Sequence, residues 1–112
     1  FIADHPDRVF FIRIGYEFDG SWNKYQPDSY KKAFRRIVDF LRRRNLSNYA
    51  IVFASSSTVK PGQFEEYDPG SEYYDWIGYS WWGNEKKFGD AAPALAYARK
   101  LKKPVFVAES AG

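Results

Sequence analysis

Four short apolar, β-prone runs lie along the chain with no hairpin turn between any two of them, and this spacing restricts the fold more than any single motif. Antiparallel neighbours can be joined by a tight turn, whereas parallel neighbours need a crossover long enough to bring the chain back to the same end of the sheet. The runs are residues 9–14, closed by Gly15, then 48–54, 75–79 and 105–108. Between the first two, Pro27-Asp28-Ser29 opens a helix that closes near Asn45. In it Tyr30, Phe34, Ile37, Val38 and Leu41 recur at helical spacing. A second helix is predicted over residues 91–101, ended by Lys103-Pro104. Residues 67–74 read as irregular with a turn at Asp68-Pro69-Gly70, and a polar loop runs through Gly89. Strands alternating with helices define the α/β class and a parallel sheet.

A closed (β/α)8 barrel takes about 250 residues, so a chain of 112 residues supplies part of one. The prediction is a partial (β/α)8 TIM barrel, with residues 1–112 a piece of a single domain cut from a longer protein. Both edges of such a sheet are unpaired, which makes the missing remainder of the barrel its implied partner and the isolated piece aggregation-prone.

Composition narrows the ligand class. The 4 Trp, 9 Tyr and 10 Phe exceed what a core of this size needs, and many sit beside Gly, Asn or Ser. Exposed rings suit the C–H faces of sugars and also the bases of single-stranded nucleic acid. The net charge is +3, with Lys31, Lys32, Arg35, Arg36, Arg42, Arg43 and Arg44 concentrated in one stretch. These alternate with the apolar helical positions, so they form a solvated helix face and no nucleic-acid partner is predicted. No run has transmembrane length, and there is no Cys. His5 is the sole histidine, without a second His or Cys at ligand spacing, so no metal site is predicted. Without a Gly-rich phosphate loop, a nucleophile elbow or a Ser/His/Asp set, phosphoryl transfer and serine hydrolysis have no support, and no cofactor is predicted.

Chemistry is suggested by a repeated placement. Glu17 lies just past the first strand and Glu109 immediately after the fourth. The C-terminal strand ends of a parallel α/β fold face the ligand site, so two carboxylates there converge. Such a pair, one donating a proton to the leaving oxygen and the other attacking the anomeric carbon, cleaves glycosidic bonds without a metal. Arg13 either bonds one of these carboxylates or is satisfied by another acid in the barrel core. Asp19 either binds a sugar hydroxyl or shapes the turn with Gly20. Trp81 and Trp82 either line sugar subsites or seal a loop against the barrel.

Three segments resemble glycoside hydrolase family 26, the mannanase-type branch of the clan A barrels. Arg13-Ile14-Gly15-Tyr16-Glu17-Phe18-Asp19-Gly20-Ser21-Trp22 is similar to its fourth-strand motif, and Pro69-Gly70 ahead of Tyr73-Tyr74-Asp75-Trp76-Ile77-Gly78 to the approach to its sixth strand. Lys103-Pro104-Val105-Phe106-Val107-Ala108-Glu109-Ser110-Ala111-Gly112 is similar to its seventh. The resemblance implies strands four to seven of the barrel, with Glu17 as general acid/base and Glu109 as nucleophile. It implies Trp22 as a sugar-stacking platform and a retaining endo-β-glycanase acting on a polysaccharide, β-mannan first. It also implies an extracellular or periplasmic location. Two positions depart from the pattern: Tyr16 stands where the family usually has His, and Trp82 where it has the Tyr that supports the nucleophile. Tyr79, three positions earlier, is the candidate to replace that Tyr. The departures motivate an alternative, a catalytically impaired barrel acting as a carbohydrate-binding module.

Overall fold

In the computed structural model, which describes residues 1–83, 86 and 89–111, four parallel strands form one sheet in the order β1-β2-β3-β4. They are β1 (Phe10–Arg13), β2 (Tyr49–Ser55), β3 (Trp76–Trp81) and β4 (Val105–Ser110). The crossovers carry α1 (Pro27–Arg43), α2 (Gln63–Tyr67), a 3-10 turn (Ser71–Tyr73) and α3 (Ala92–Leu101). The chain is thus an α/β half-barrel. Asn84, Glu85, Lys87 and Phe88 of the expected polar loop, and Gly112 of the last motif, lie outside the described residues.

Each helix follows from local chemistry. α1 begins with Pro27 in its first turn, where a missing N–H costs nothing, and buries Tyr30, Phe34 and Val38 four residues apart. Asp28 near its start and Arg42 and Arg43 in its last turn complement the helix dipole. α3 buries Ala94, Tyr97 and Ala98 and stops where Lys102 turns left-handed, with the Lys103 N–H donating to the Ala98 carbonyl at 2.9 Å. The 3-10 turn lies in the segment 67–74 that the sequence reads as irregular, and α2 ends on its first residue; three and five residues are too few to show a period.

The main core lies between the helices and the outer face of the sheet. Phe53 on β2 is fully buried, its ring 4.5 Å from Phe18, 5.1 Å from Tyr74 and 5.6 Å from Phe64 between centroids. Asp68 ties the crossover down: one carboxylate oxygen accepts the hydroxyls of Tyr74 and Tyr97 and the other the Gly70 N–H at 2.7 Å. Burial, reinforced by Asp68, raises both phenol pKa values well above the ordinary tyrosine range.

The inner face shows the curl of the barrel. In a flat sheet β1 and β4 would stand about 14 Å apart, three inter-strand spacings. Instead the rings of Phe11 and Phe106 stack at 5.0 Å, and Trp76 meets Phe11 edge-on at 5.7 Å.

The fourth strand corrects the sequence reading in a way that matters for the site. It continues through Ser110, so Glu109 lies within it. Tyr79 pairs with Val107 but Ser80 pairs with Glu109, so Ala108 is an extra residue in the ladder, a β-bulge. Strict alternation from Phe106 would send Glu109 to the helix side; the bulge returns it to the inner face.

Candidate active site

The segment after β1 is built around an unfavourable backbone conformation. Glu17 has φ +48°, a left-handed geometry that costs a non-glycine residue on the order of 1–2 kcal/mol. Its surroundings offset that cost. The Asn23 side-chain amide donates to the carbonyls of Tyr16 and Glu17 at 3.0 and 3.1 Å, and the Gly20 N–H to the Glu17 carbonyl at 2.9 Å. On the other side of Glu17, the Phe18 N–H reaches the Ala54 carbonyl at 3.2 Å while its ring enters the core. Glu17 itself is buried, and its Oε1 accepts a hydrogen bond from the Ser80 hydroxyl at 2.7 Å.

Glu109 is held from across the half-barrel. Arg13 Nη2, at the end of β1, lies 2.6 Å from its Oε1, and both side chains keep partial contact with solvent. The same guanidinium sits 5.4 Å from the centre of the Tyr16 ring. Arg13, Tyr16, Glu17, Ser80 and Glu109 therefore form one contiguous cluster where the strands of the sheet reach their C-terminal ends. Of the two possibilities for Arg13, the observed one is a bond to a carboxylate of the pair.

The other candidates separate. Trp22 is 55% exposed, and its indole lies so closely over Gly20 that a Cβ there would fall 2.5 Å from Cε2. Only glycine leaves room for this ring. Trp81 ends β3 and is exposed, and Trp82 follows it half-buried at the mouth. One expectation is corrected. Tyr79 alternates with Ser80 and packs on the helix-side core, so it faces away from Glu109 and is not part of the substrate-facing surface. Asp19 accepts the Ser56 N–H at 2.6 Å on one oxygen and the Ser56 hydroxyl on the other, which fastens the Glu17 loop to the loop after β2.

Ser80 and Asn23 are the site residues that sequence reading missed. For Ser80 a signal existed, since two more residues of β3 with the same alternation place it on the inner face. Asn23 carried no signal beyond its presence in a polar loop.

A curled parallel sheet with two carboxylates gathered at its C-terminal mouth, beside an exposed indole, has the build of a glycoside hydrolase barrel. The chain belongs to glycosyl hydrolase family 26, whose family model matches residues 8–111. It is 32% identical over 108 residues to a beta-1,3-xylanase from Alcaligenes sp, covering 93% of this chain and 23% of that protein. A beta-1,3-xylanase from Vibrio sp matches at the same identity, with 93% of this chain and 24% of the relative covered. The chain thus spans about a quarter of the length of these curated relatives. Among solved structures, a GH26 beta-mannanase from Bacteroides ovatus superimposes with a TM-score of 0.78 at 18% identity, covering 97% of this chain and 39% of that one.

Proposed function

We propose that the protein carrying this chain is a retaining endo-β-glycanase in which Glu17 is the general acid/base and Glu109 the nucleophile. The observation that carries this reading is that Glu17 bonds Ser80, whose backbone partner in the ladder is Glu109, itself held by Arg13, so that both carboxylates belong to one cluster at the sheet's mouth. A carboxyl separation of about 5–5.5 Å is what the retaining mechanism requires of this pair.

In the first step Glu109, oriented by Arg13, attacks the anomeric carbon. The C1–O bond breaks, and the leaving oxygen keeps the electron pair and takes the Glu17 proton. In the second, Glu17 removes a proton from water as the water oxygen displaces Glu109 from C1, and configuration is retained overall. Trp22 offers a face for a neighbouring sugar ring.

For the substrate, we place β-1,3-linked xylan ahead of the β-mannan that the sequence motifs imply. The names of the 32% identical relatives support it, whereas the mannanase neighbour at 18% identity shares the fold alone. The chain is then one part of a single catalytic domain, whose remainder pairs the free edges of β1 and β4 and completes the cleft for the polysaccharide. An extracellular or periplasmic location accords with a polymeric substrate.

The test is hydrolysis of β-1,3-xylan and β-mannan by the full-length protein and by its Glu17→Gln and Glu109→Gln variants, with the anomer formed first read by NMR. Retained configuration and loss of turnover in both variants are expected. Inverted product, or full turnover in either variant, would refute the mechanism; saturable glycan binding without release of reducing ends would establish the binding-module alternative.

A further inference from the structure

Ser80 is 1% exposed and sits on the inner face of β3, opposite Glu109 in the ladder. Its hydroxyl donates to Glu17 Oε1 at 2.7 Å. We propose that Ser80 is a positioning residue that decides which oxygen of Glu17 carries the catalytic proton; the proposal rests on the acid/base role given to Glu17 above.

The argument is one of donor and acceptor capacity. A protonated carboxyl has one oxygen that carries hydrogen and one that accepts, and a serine hydroxyl has a single hydrogen to give. With the Ser80 hydrogen directed at Oε1, that oxygen is the accepting one and the acidic hydrogen resides on Oε2. Were the bond reversed, the Glu17 proton would point into the sheet at Ser80 and away from the leaving oxygen. Burial keeps water from competing for the Ser80 hydroxyl, and a buried donor without a partner is costly, which favours the direction that uses its hydrogen. The same donation suits the carboxylate that remains after proton transfer, so Ser80 need not reorganise during the cycle. Only the proton on Oε2 moves: to the leaving oxygen in the first step, and back from water in the second.

Placement on the ladder adds a second consequence. Because Ser80 faces Glu109 directly after the Ala108 bulge, the strand pair that aims the nucleophile also fixes the proton donor. The Glu17 carboxyl is therefore tied to β3 beside the strand that carries Glu109, although Glu17 itself belongs to the loop after β1.

The test uses Ser80→Ala in the full-length protein and two kinds of substrate. On the polysaccharide, whose sugar leaving group needs its proton, kcat is expected to fall about 10- to 100-fold with KM within about twofold, a part of the ~10²–10⁴-fold that a placed general acid contributes. On an aryl glycoside with an acidic phenol as leaving group, which departs unprotonated, kcat/KM is expected to fall less than about threefold, because that step draws little on the acid. Ser80→Cys, a near-isostere with a weak donor, is expected to show the same split and serves if the Ala variant fails to fold. Equal losses on both substrates, or unchanged kcat on the polysaccharide, would overturn the proposal. Glu17→Gln is measured alongside: if it retains polysaccharide turnover, the acid/base assignment itself fails, whereas its inactivity together with an unaffected Ser80→Ala removes Ser80 alone.

Discussion

Replacing Arg13 with Met removes the guanidinium while keeping much of the apolar stem, and it isolates the part of the site that holds Glu109, the proposed nucleophile. The Nη2 to Oε1 distance of 2.6 Å marks a charge-assisted hydrogen bond, and the two side chains are 28% and 35% exposed. A fully buried pair broken on one side costs about 3–5 kcal/mol, because an uncompensated charge is left behind. At these exposures water can enter beside Glu109, so the loss falls in the ~1.5–3 kcal/mol range of a hydrogen bond to a charged group. Its upper half is discounted further by solvent screening. Some of this loss appears in the fold and some in the alignment of Glu109 with the anomeric carbon. If alignment takes about half or more of it, kcat/KM falls about 3- to 30-fold, at about 1.4 kcal/mol per tenfold. Arg13→Lys is expected to recover only part, since an ammonium on a shorter reach cannot reproduce the planar guanidinium against both the carboxylate and the Tyr16 ring. The assay is kcat/KM on a defined oligosaccharide, with thermal unfolding of the same samples to separate misfolding from misalignment. A folded Arg13→Met protein with wild-type kcat/KM would refute the view that this ion pair orients the nucleophile.

Phe53→Ala removes a fully buried ring at the centre of the aromatic core, and the expected destabilisation is ~3–5 kcal/mol, read from denaturant midpoints; a shift below about 1 kcal/mol would show that the core repacks around the gap. In alkaline solution the Tyr74 and Tyr97 phenols, whose pKa values are raised in the fold by burial and by Asp68, keep their protons where an unfolded chain loses its own. Their contribution to stability is full below the unfolded value of about 10 and is lost as pH rises through the folded values. The melting temperature should therefore drop past about pH 10, and less steeply in a Tyr74→Phe/Tyr97→Phe protein; identical pH profiles would refute the assignment.

What the sequence disclosed and what it withheld divide along a physical line. Periodicity and turn chemistry report on neighbours along the chain, so the parallel order, α1 and α3 were legible from residues such as Pro27, Tyr30, Phe34 and Val38. Glu17 and Glu109 were visible because charged residues bordering apolar runs are conspicuous. Facing is another matter. One unpaired residue, Ala108, reverses the inside-outside order of everything after it and leaves no trace in composition or spacing. Tyr79 was misplaced for a related reason: its distance from Trp82 was counted along the chain, whereas its direction is set by alternation with Ser80. Asp19 found its partner in Ser56, 37 positions away, a contact that local pattern cannot announce.

The departure at Tyr16 acquires a meaning once these contacts are known. The residue precedes Glu17, and the family pattern invites a role beside that carboxyl; its ring instead lies against Arg13, the partner of Glu109. An imidazole in that place would gain a proton in mildly acidic solution and repel the guanidinium. A phenol ring instead attracts a cation through its face, worth about 0.5–1 kcal/mol at a partly exposed site. Tyr16 thus couples to Glu109 through Arg13, while Glu17 is governed from the opposite side by Ser80. The two carboxylates are oriented by separate contacts, which lets the environment of Glu109 change at position 16 while Glu17 stays fastened to Ser80 on β3.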